Sequence, residues 1–304
     1  MGRVSTTVHD KRPEWLRAQG PGGETYRSLK ALMKGLALHT VCESAACPNM
    51  GECWNLKTAA FMILGSVCTR RCNFCAVQKG APELVDYDEP RRVAEAVAAL
   101  GLRHAVITSV TRDDLKDGGA ELFALTVRAI RARVPCCRVE VLTPDFQGSH
   151  ACIDIVLDVT PDVFNHNVET VPRLYRSVRP GARYERSLEV LAYAGKRRPE
   201  ILTKSGLMLG LGETEEEVFE VMRDLRAHGI RIITLGQYLR PSPGHLPVAR
   251  YIAPEEFDAY RKVGYAMGFL HVESGPLVRS SYHAARVAEA SGFDAHTSHR
   301  TMGK

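Results

Sequence analysis

The sequence lacks any long hydrophobic run. Its longest apolar stretch, Ala59 to Leu64, is far too short to cross a bilayer, so no membrane span is expected. Residues Met1 to Arg12 lack the apolar core of a secretory signal, which predicts a cytoplasmic protein whose cysteines stay reduced. No strong charge imbalance exists either. Lys and Arg number 40 against 35 Asp and Glu, a formal charge of +5, which is weak ground for a nucleic-acid partner; none is expected. No low-complexity linker divides the 304 residues, and the 11 histidines show no metal-ligand spacing. What remains is a globular composition, 45% apolar and 25% charged, with nine cysteines.

Six of those cysteines fall between Cys42 and Cys75, as two triplets. Cys42, Cys47 and Cys53 form C-x4-C-x5-C; Cys68, Cys72 and Cys75 form C-x3-C-x2-C. Three thiolates are one short of a closed structural zinc site. Neither triplet has the paired spacing of a zinc ribbon, though zinc or a redox pair is the plain alternative. Two incomplete triplets point to two iron–sulfur clusters, each with one iron open to another ligand. Cys136, Cys137 and Cys152 stand apart and are expected as core thiols.

Periodicity supplies the fold class. Strands are predicted at 61–67, 105–109, 138–142, 162–167, 201–209 and 231–239, alternating with helices. Thr214 and Glu217 make a capping box, and Gly101 and Gly229 stop helices. Such alternation implies α/β structure with a parallel sheet curled into a partial (β/α)6, TIM-like barrel with N- and C-terminal extensions. The division is an N-terminal extension 1–57 carrying the first triplet, a barrel 58–270 and a C-terminal extension 271–304. Arginines 173, 176, 179, 183 and 186 recur at helical spacing and predict a basic stripe, solvated or used to dock an acidic partner.

The second triplet, in a loop after the first barrel strand, resembles the radical S-adenosylmethionine (SAM) superfamily. The resemblance implies that Cys68, Cys72 and Cys75 hold three irons of a [4Fe–4S] cluster whose fourth iron chelates SAM. Electron transfer then releases a 5′-deoxyadenosyl radical. Gly118-Gly119 matches the pair that holds the SAM amino group, with Ala120 where an acidic residue is usual. Gly206 through Gly210 to Glu213 resembles the fifth-strand pattern beside adenine. Glu140 and Asn165 are expected as ribose contacts, Phe74 as a shield for cluster or adenine, and His166 as a substrate contact. Asp113 and Asp114 are read as loop caps.

Cys42 to Cys53, the tail Arg279-Ser280-Ser281-Tyr282, and segments such as Thr143 to Phe146, Phe164 to Thr170 and Gln237 to Ser242 resemble lipoyl synthase. The family inserts two sulfurs, at C6 and C8 of an octanoyl chain amide-linked to a carrier-domain lysine, and its auxiliary [4Fe–4S] cluster is the sulfur donor. Cys42, Cys47 and Cys53 would hold that cluster, with Ser281 as the fourth ligand by family resemblance; the sequence itself fits Ser280 equally, and Arg279 would orient the motif. A serine oxygen is a hard, weakly matched iron ligand, which suits a cluster that must be dismantled. The partners implied are octanoylated carrier domains (2-oxoacid dehydrogenase E2 or glycine cleavage H protein), a reductant such as ferredoxin or flavodoxin, and an iron–sulfur carrier protein. Biotin-synthase-like and tRNA-methylthiolating enzymes are the nearest rivals; the first lacks the upstream triplet and the second needs an RNA-binding tail. A plain electron-transfer protein would need four protein ligands per cluster.

Overall fold

Strands that are apolar on both faces must be covered on both, and here amphipathic helices and an enclosed interior do so. The computed structural model describes residues 12–17, 22–45, 47–55, 59–282 and 284. Its first half runs α1 (Glu24–Gly35), β1 (His39–Thr40), α2 (Val41–Ser44), α3 (Met50–Asn55), β2 (Ala60–Ile63), β3 (Val67–Cys68), β4 (Gln78–Lys79), α4 (Glu89–Leu100), β5 (His104–Ser109), α5 (Ala120–Arg133) and β6 (Arg138–Leu142). Then follow α6 (His150–Leu157), β7 (Val163–Asn165), α7 (Tyr175–Val178), α8 (Tyr184–Arg197), β8 (Leu202–Leu209), α9 (Glu215–Ala227), β9 (Ile232–Gln237), α10 (Pro254–Ala266) and β10 (His271–Gly275). The main sheet is ordered β1-β2-β5-β6-β7-β8-β9-β10. Every neighbouring pair is parallel except β1 with β2. The expected partial barrel is present. Among the described residues no helix is long and apolar enough to cross a membrane.

The six expected strands all form, with local differences. The first ends at Ile63 rather than Val67, because Leu64 and Gly65 take positive φ (69° and 86°) and throw the chain outward. A seventh parallel strand, β10, lies within the stretch read as the C-terminal extension; short and part-polar, it carries no run of apolar residues. Helix α6 was also not expected. The capping box of α9 forms as read. The arginine stripe does not. Pro180 and Gly181 (φ 91°) break the segment between α7 and α8, and Arg179 is buried. Cys137 and Cys152 are buried as expected, but Cys136 is exposed.

The barrel interior is layered by strand alternation. Thr108, Leu142, Gly206 and Met208 border the cavity at the C-terminal ends of the strands. Two to four residues earlier on the same faces lie His104, Glu140 and Lys204. Glu140 (1% exposed) accepts from Lys204 Nζ at 2.9 and 3.0 Å and from Asn165 Nδ2 at 2.8 Å. Burial alone would raise this carboxyl, but Lys204 and His104 outweigh it and hold it near 2. Removing one partner of a buried pair strands the other charge. Lys204→Met is therefore expected to cost about 3–5 kcal/mol in thermal or denaturant unfolding. Adding Glu140→Leu should return most of that loss; a double variant no more stable than the single would refute the pairing as the cause.

Candidate active site

Parallel strands end together, and their following loops enclose one cavity of about 450 Å³, a volume suited to a cofactor-sized molecule. Its lining includes Cys68, Cys72, Phe74 and Cys75, and also Val41, Ala45 and Pro48, beside the first triplet, with Arg279 and Ser280 from the tail.

The second triplet is held by four of the loops around it. Thr69 donates from its backbone N–H (3.0 Å) and its hydroxyl (2.9 Å) to the Thr111 carbonyl. Arg70 pairs with Asp113 (2.7 and 2.9 Å) and with the buried Asp145 (2.6 Å). Asn73 donates to the Val178 and Ser177 carbonyls, and His245 Nε2 lies 3.0 Å from the Cys75 carbonyl. Asp113 thus anchors the loop rather than capping its own, while Asp114 pairs with Arg112. The Thr111 N–H points at the Cys68 sulfur at 3.3 Å, and the Val77 backbone bonds the Cys75 sulfur. Burial raises the Cys72 thiol and pushes Cys75 up to about 11.

The first triplet rides on two short helices. Thr40 caps α2 by accepting from the Glu43 N–H, and Cys47 N–H bonds the Cys42 carbonyl at 2.9 Å. Burial pushes Cys42 up to about 11 and Cys53 to about 12, with Cys47 adding to the first shift and both Cys42 and Cys47 to the second. The tail closes over it: Asn49 Nδ2 donates to the Leu277 carbonyl (2.6 Å) and Tyr282 Oη to Glu52 (3.0 Å). Arg279 donates to the Gln237 carbonyl at 3.0 Å and has Cys47 and Glu169 as its neighbours of opposite charge. A Cβ on Gly236 would stand 2.0 Å from the Val278 carbonyl, so this approach requires glycine.

Both donor sets suit iron–sulfur clusters. Among the described residues no three Cys, His, Asp or Glu side chains gather as a single ion requires, yet the sulfurs within each triplet feel one another's charge. Backbone N–H groups address the sulfurs, the contacts that tune such clusters. The buried Trp54 indole N–H has no regular acceptor and faces the Cys42 sulfur.

Several expected contacts lie elsewhere. Glu140 and Asn165 sit one layer below the cavity floor and are not among its lining residues. Gly118 and Gly119 border no part of it; they take positive φ at the start of α5, where a Cβ on Gly119 would meet Leu64 Cδ1 at 2.2 Å. Gly210 (φ 98°) makes room for Gln237 and the Arg250 carbonyl instead. Gly206 and Phe74 do line the cavity. So does Ser280, whereas Ser281 does not; it lies on the turn between Arg279 and Tyr282.

The sequence reading passed over polar groups that do face the cavity. Ser109 Oγ, Thr143 Oγ1 and Asn167 Oδ1 are buried without hydrogen-bond partners among the described residues. Glu169 takes positive φ (66°) just past β7, where its N–H and carbonyl bridge to β8. Its carboxylate accepts from Asn167 Nδ2 at 3.1 Å, with Arg179 and Arg279 as nearby cations; burial raises it. The signal was the Asn-x-Glu two to four residues beyond the strand end, where a chain must turn inward.

Comparison with known proteins agrees. The radical SAM superfamily matches residues 62–225, and the N-terminal domain of lipoyl synthase matches residues 3–47. The lipoyl synthase of Rubrobacter xylanophilus is 64% identical over 91% of this chain and 87% of its own. That of Thermus thermophilus is 59% identical, covering 92% and 87%. In fold alone, Streptococcus suis SuiB bound to S-adenosylmethionine is similar, with TM-score 0.51 and 10% identity over 73% of this chain and 51% of that one.

His166 links this cavity to acid sensitivity. Its ring nitrogens lie 2.8 Å from the Thr143 carbonyl and 3.1 Å from Ser187 Oγ, and burial with nearby Arg179 depresses it to about 4. A depressed histidine stays neutral in the fold while the unfolded chain gains a proton below about 6.5. Stability is therefore expected to fall between pH 6.5 and 4, by up to about 3 kcal/mol from this group. His166→Gln should flatten that part of the stability–pH curve; an unchanged slope would remove His166 as its source.

Proposed function

We propose, from the premise that this chain belongs to the lipoyl synthase family of the radical SAM superfamily, that its two cysteine triplets stand at the two ends of one reaction path. The activity is insertion of two sulfur atoms, at C6 and C8 of a protein-bound N6-octanoyl-lysine, to give lipoyl-lysine. The cofactors are two [4Fe–4S] clusters and SAM. The observation that carries the assignment is one cavity lined by the second triplet and by sequence neighbours of the first, with the serine-bearing tail tied to the first triplet's segment.

Cys68, Cys72 and Cys75 are assigned to the cluster that meets SAM, and Cys42, Cys47, Cys53 and Ser281 to the auxiliary cluster. Bound there, these groups supply one-electron cleavage of SAM and the sulfur to be inserted. The chain's own residues do the rest. Asn167 and Glu169 offer acceptors to the cavity, as a ribose diol requires, and replace Glu140 and Asn165 in that role. Ser109 and Thr143 offer hydroxyls. Phe74, Leu142 and Met208 give the octanoyl chain an apolar, water-excluding wall. Arg279, tied to the Gln237 carbonyl, fixes the tail so that Ser281 is presented to the first triplet. Octanoylated E2 or H protein is the carrier, a ferredoxin or flavodoxin the reductant, and an iron–sulfur carrier protein restores the auxiliary cluster.

Anaerobic incubation of the reconstituted chain with SAM, reductant and an octanoylated carrier domain should add two sulfurs by mass, with two hydrogens lost when the dithiol is afterwards oxidised to the lipoyl disulfide. Cys68→Ala should abolish 5′-deoxyadenosine formation. Cys47→Ala should preserve it while abolishing sulfur insertion, and lipoylated product from that variant would overturn the division of labour. Glu169→Gln should weaken SAM binding about tenfold, roughly 1.4 kcal/mol. SAM affinity equal to wild type would return the ribose contact to other residues.

A further inference from the structure

Three of the segments that line the cavity differ in charge from the rest of the chain. Residues 68–82, 171–184 and 238–252 carry three, four and two Arg or Lys, and not one Asp or Glu, in a sequence whose basic and acidic residues are nearly balanced. They also meet physically. Asn73 donates from its backbone to the Val178 carbonyl and from its side chain to the Ser177 carbonyl, while its own carbonyl accepts from the Leu246 N–H. His245 reaches the Cys75 carbonyl from the third segment.

Five of these nine cations have structural employment. Arg70 is locked to Asp113 and Asp145, Arg173 to Glu217 and Arg250 to Glu256. Arg179 turns inward, and Arg240 holds carbonyls of its own loop. Arg71, Lys79, Arg176 and Arg183 remain, all exposed and without a side-chain partner among the described residues. Four unpaired cations on touching loops make a basic rim. Like charges gathered this way repel one another, and no ion pair among the described residues offsets the cost.

We propose that this rim docks the carrier domain through an acidic surface around the modified lysine, an inference that rests on the function proposed above. The octanoyl arm must enter through the mouth, so the body of its carrier comes to rest on these loops. Electrons have no such constraint. A rim of this kind sets encounter rate and register more than intrinsic chemistry. It would therefore act on the carrier's KM and leave the turnover of a minimal substrate alone.

The test compares wild type with R176E/R183E, and with the milder R71Q/K79Q, on two substrates under dithionite, which bypasses any protein reductant. One substrate is an octanoylated carrier domain, the other a short octanoyl-lysine peptide without acidic residues. The charge-reversed variant should raise KM for the carrier about tenfold at low salt, and the difference should shrink as ionic strength passes about 0.15 M, where the Debye length is about 8 Å. Peptide turnover should be unchanged. Wild-type KM for the carrier in both variants would overturn the rim proposal. So would an effect seen only with a protein reductant, which would make that reductant the occupant. A wild type that converts neither substrate would overturn the functional reading, and the rim with it.

Discussion

An open parallel sheet cannot close over its own cavity, and that constraint governs the molecule. Its edges are β1, paired only with β2, and β10, paired only with β9. The cavity above the strand ends is therefore walled by chain from outside the barrel proper. The stretch from Val41 to Asn55 supplies one side and the turn from Leu277 to Tyr282 seals it, through Asn49, Glu52 and the Arg279 guanidinium. The same contacts bring the segment of the first triplet to the cavity that the second triplet lines. Closure of the site and assembly of its chemistry are one event, because the residues that wall the cavity are neighbours of those that would bind iron.

Beneath that cavity the barrel is polar where most cores are apolar. The Glu140–Lys204 pair is enclosed, with Asn165 and His104 against it. Buried pairs seldom add stability over a well-packed apolar core. What this one does add is register: it ties β6 to β8 across β7, and so sets how far each strand protrudes at its C-terminal end. The positions of Asn167, Glu169 and Gly206 at the cavity follow from that height. Gly206 matters here because a Cβ would stand 2.9 Å from Asn167 Oδ1.

Most of this architecture was legible in the sequence, and what was not has identifiable physical reasons. Strands of branched apolar residues between capped helices announce themselves, and all six were placed within a few residues. The seventh, His271–Gly275, hides because its alternate positions are polar or small and only its partner β9 gives it meaning. The cysteines were legible because thiolate spacing is chemistry written directly in sequence. The polar groups that face the cavity were not, because they depend on depth. Glu140 and Asn167 are both polar residues near strand ends, and only the layer at which each side chain emerges separates a core ion pair from a cavity wall. The paired glycines at 118–119 matched a motif by composition, yet their positive φ and the closeness of Leu64 show backbone geometry as the reason for them.

The two triplets, equal in residue type, are unequal in how firmly they are held. The loop of Cys68, Cys72 and Cys75 is fixed from four directions, by Thr111, by Asp113 with Asp145, by Val178, and by His245. Such a loop cannot loosen without breaking contacts to several other loops, which suits the retained cluster proposed above. The serine-bearing turn over Cys42, Cys47 and Cys53 is secured by a handful of hydrogen bonds, each net about 0.5–1.5 kcal/mol. Lifting it leaves every strand pairing of the barrel intact. In the function proposed above the first triplet holds the cluster that is opened and rebuilt, and it lies under the turn held by the fewer of these contacts.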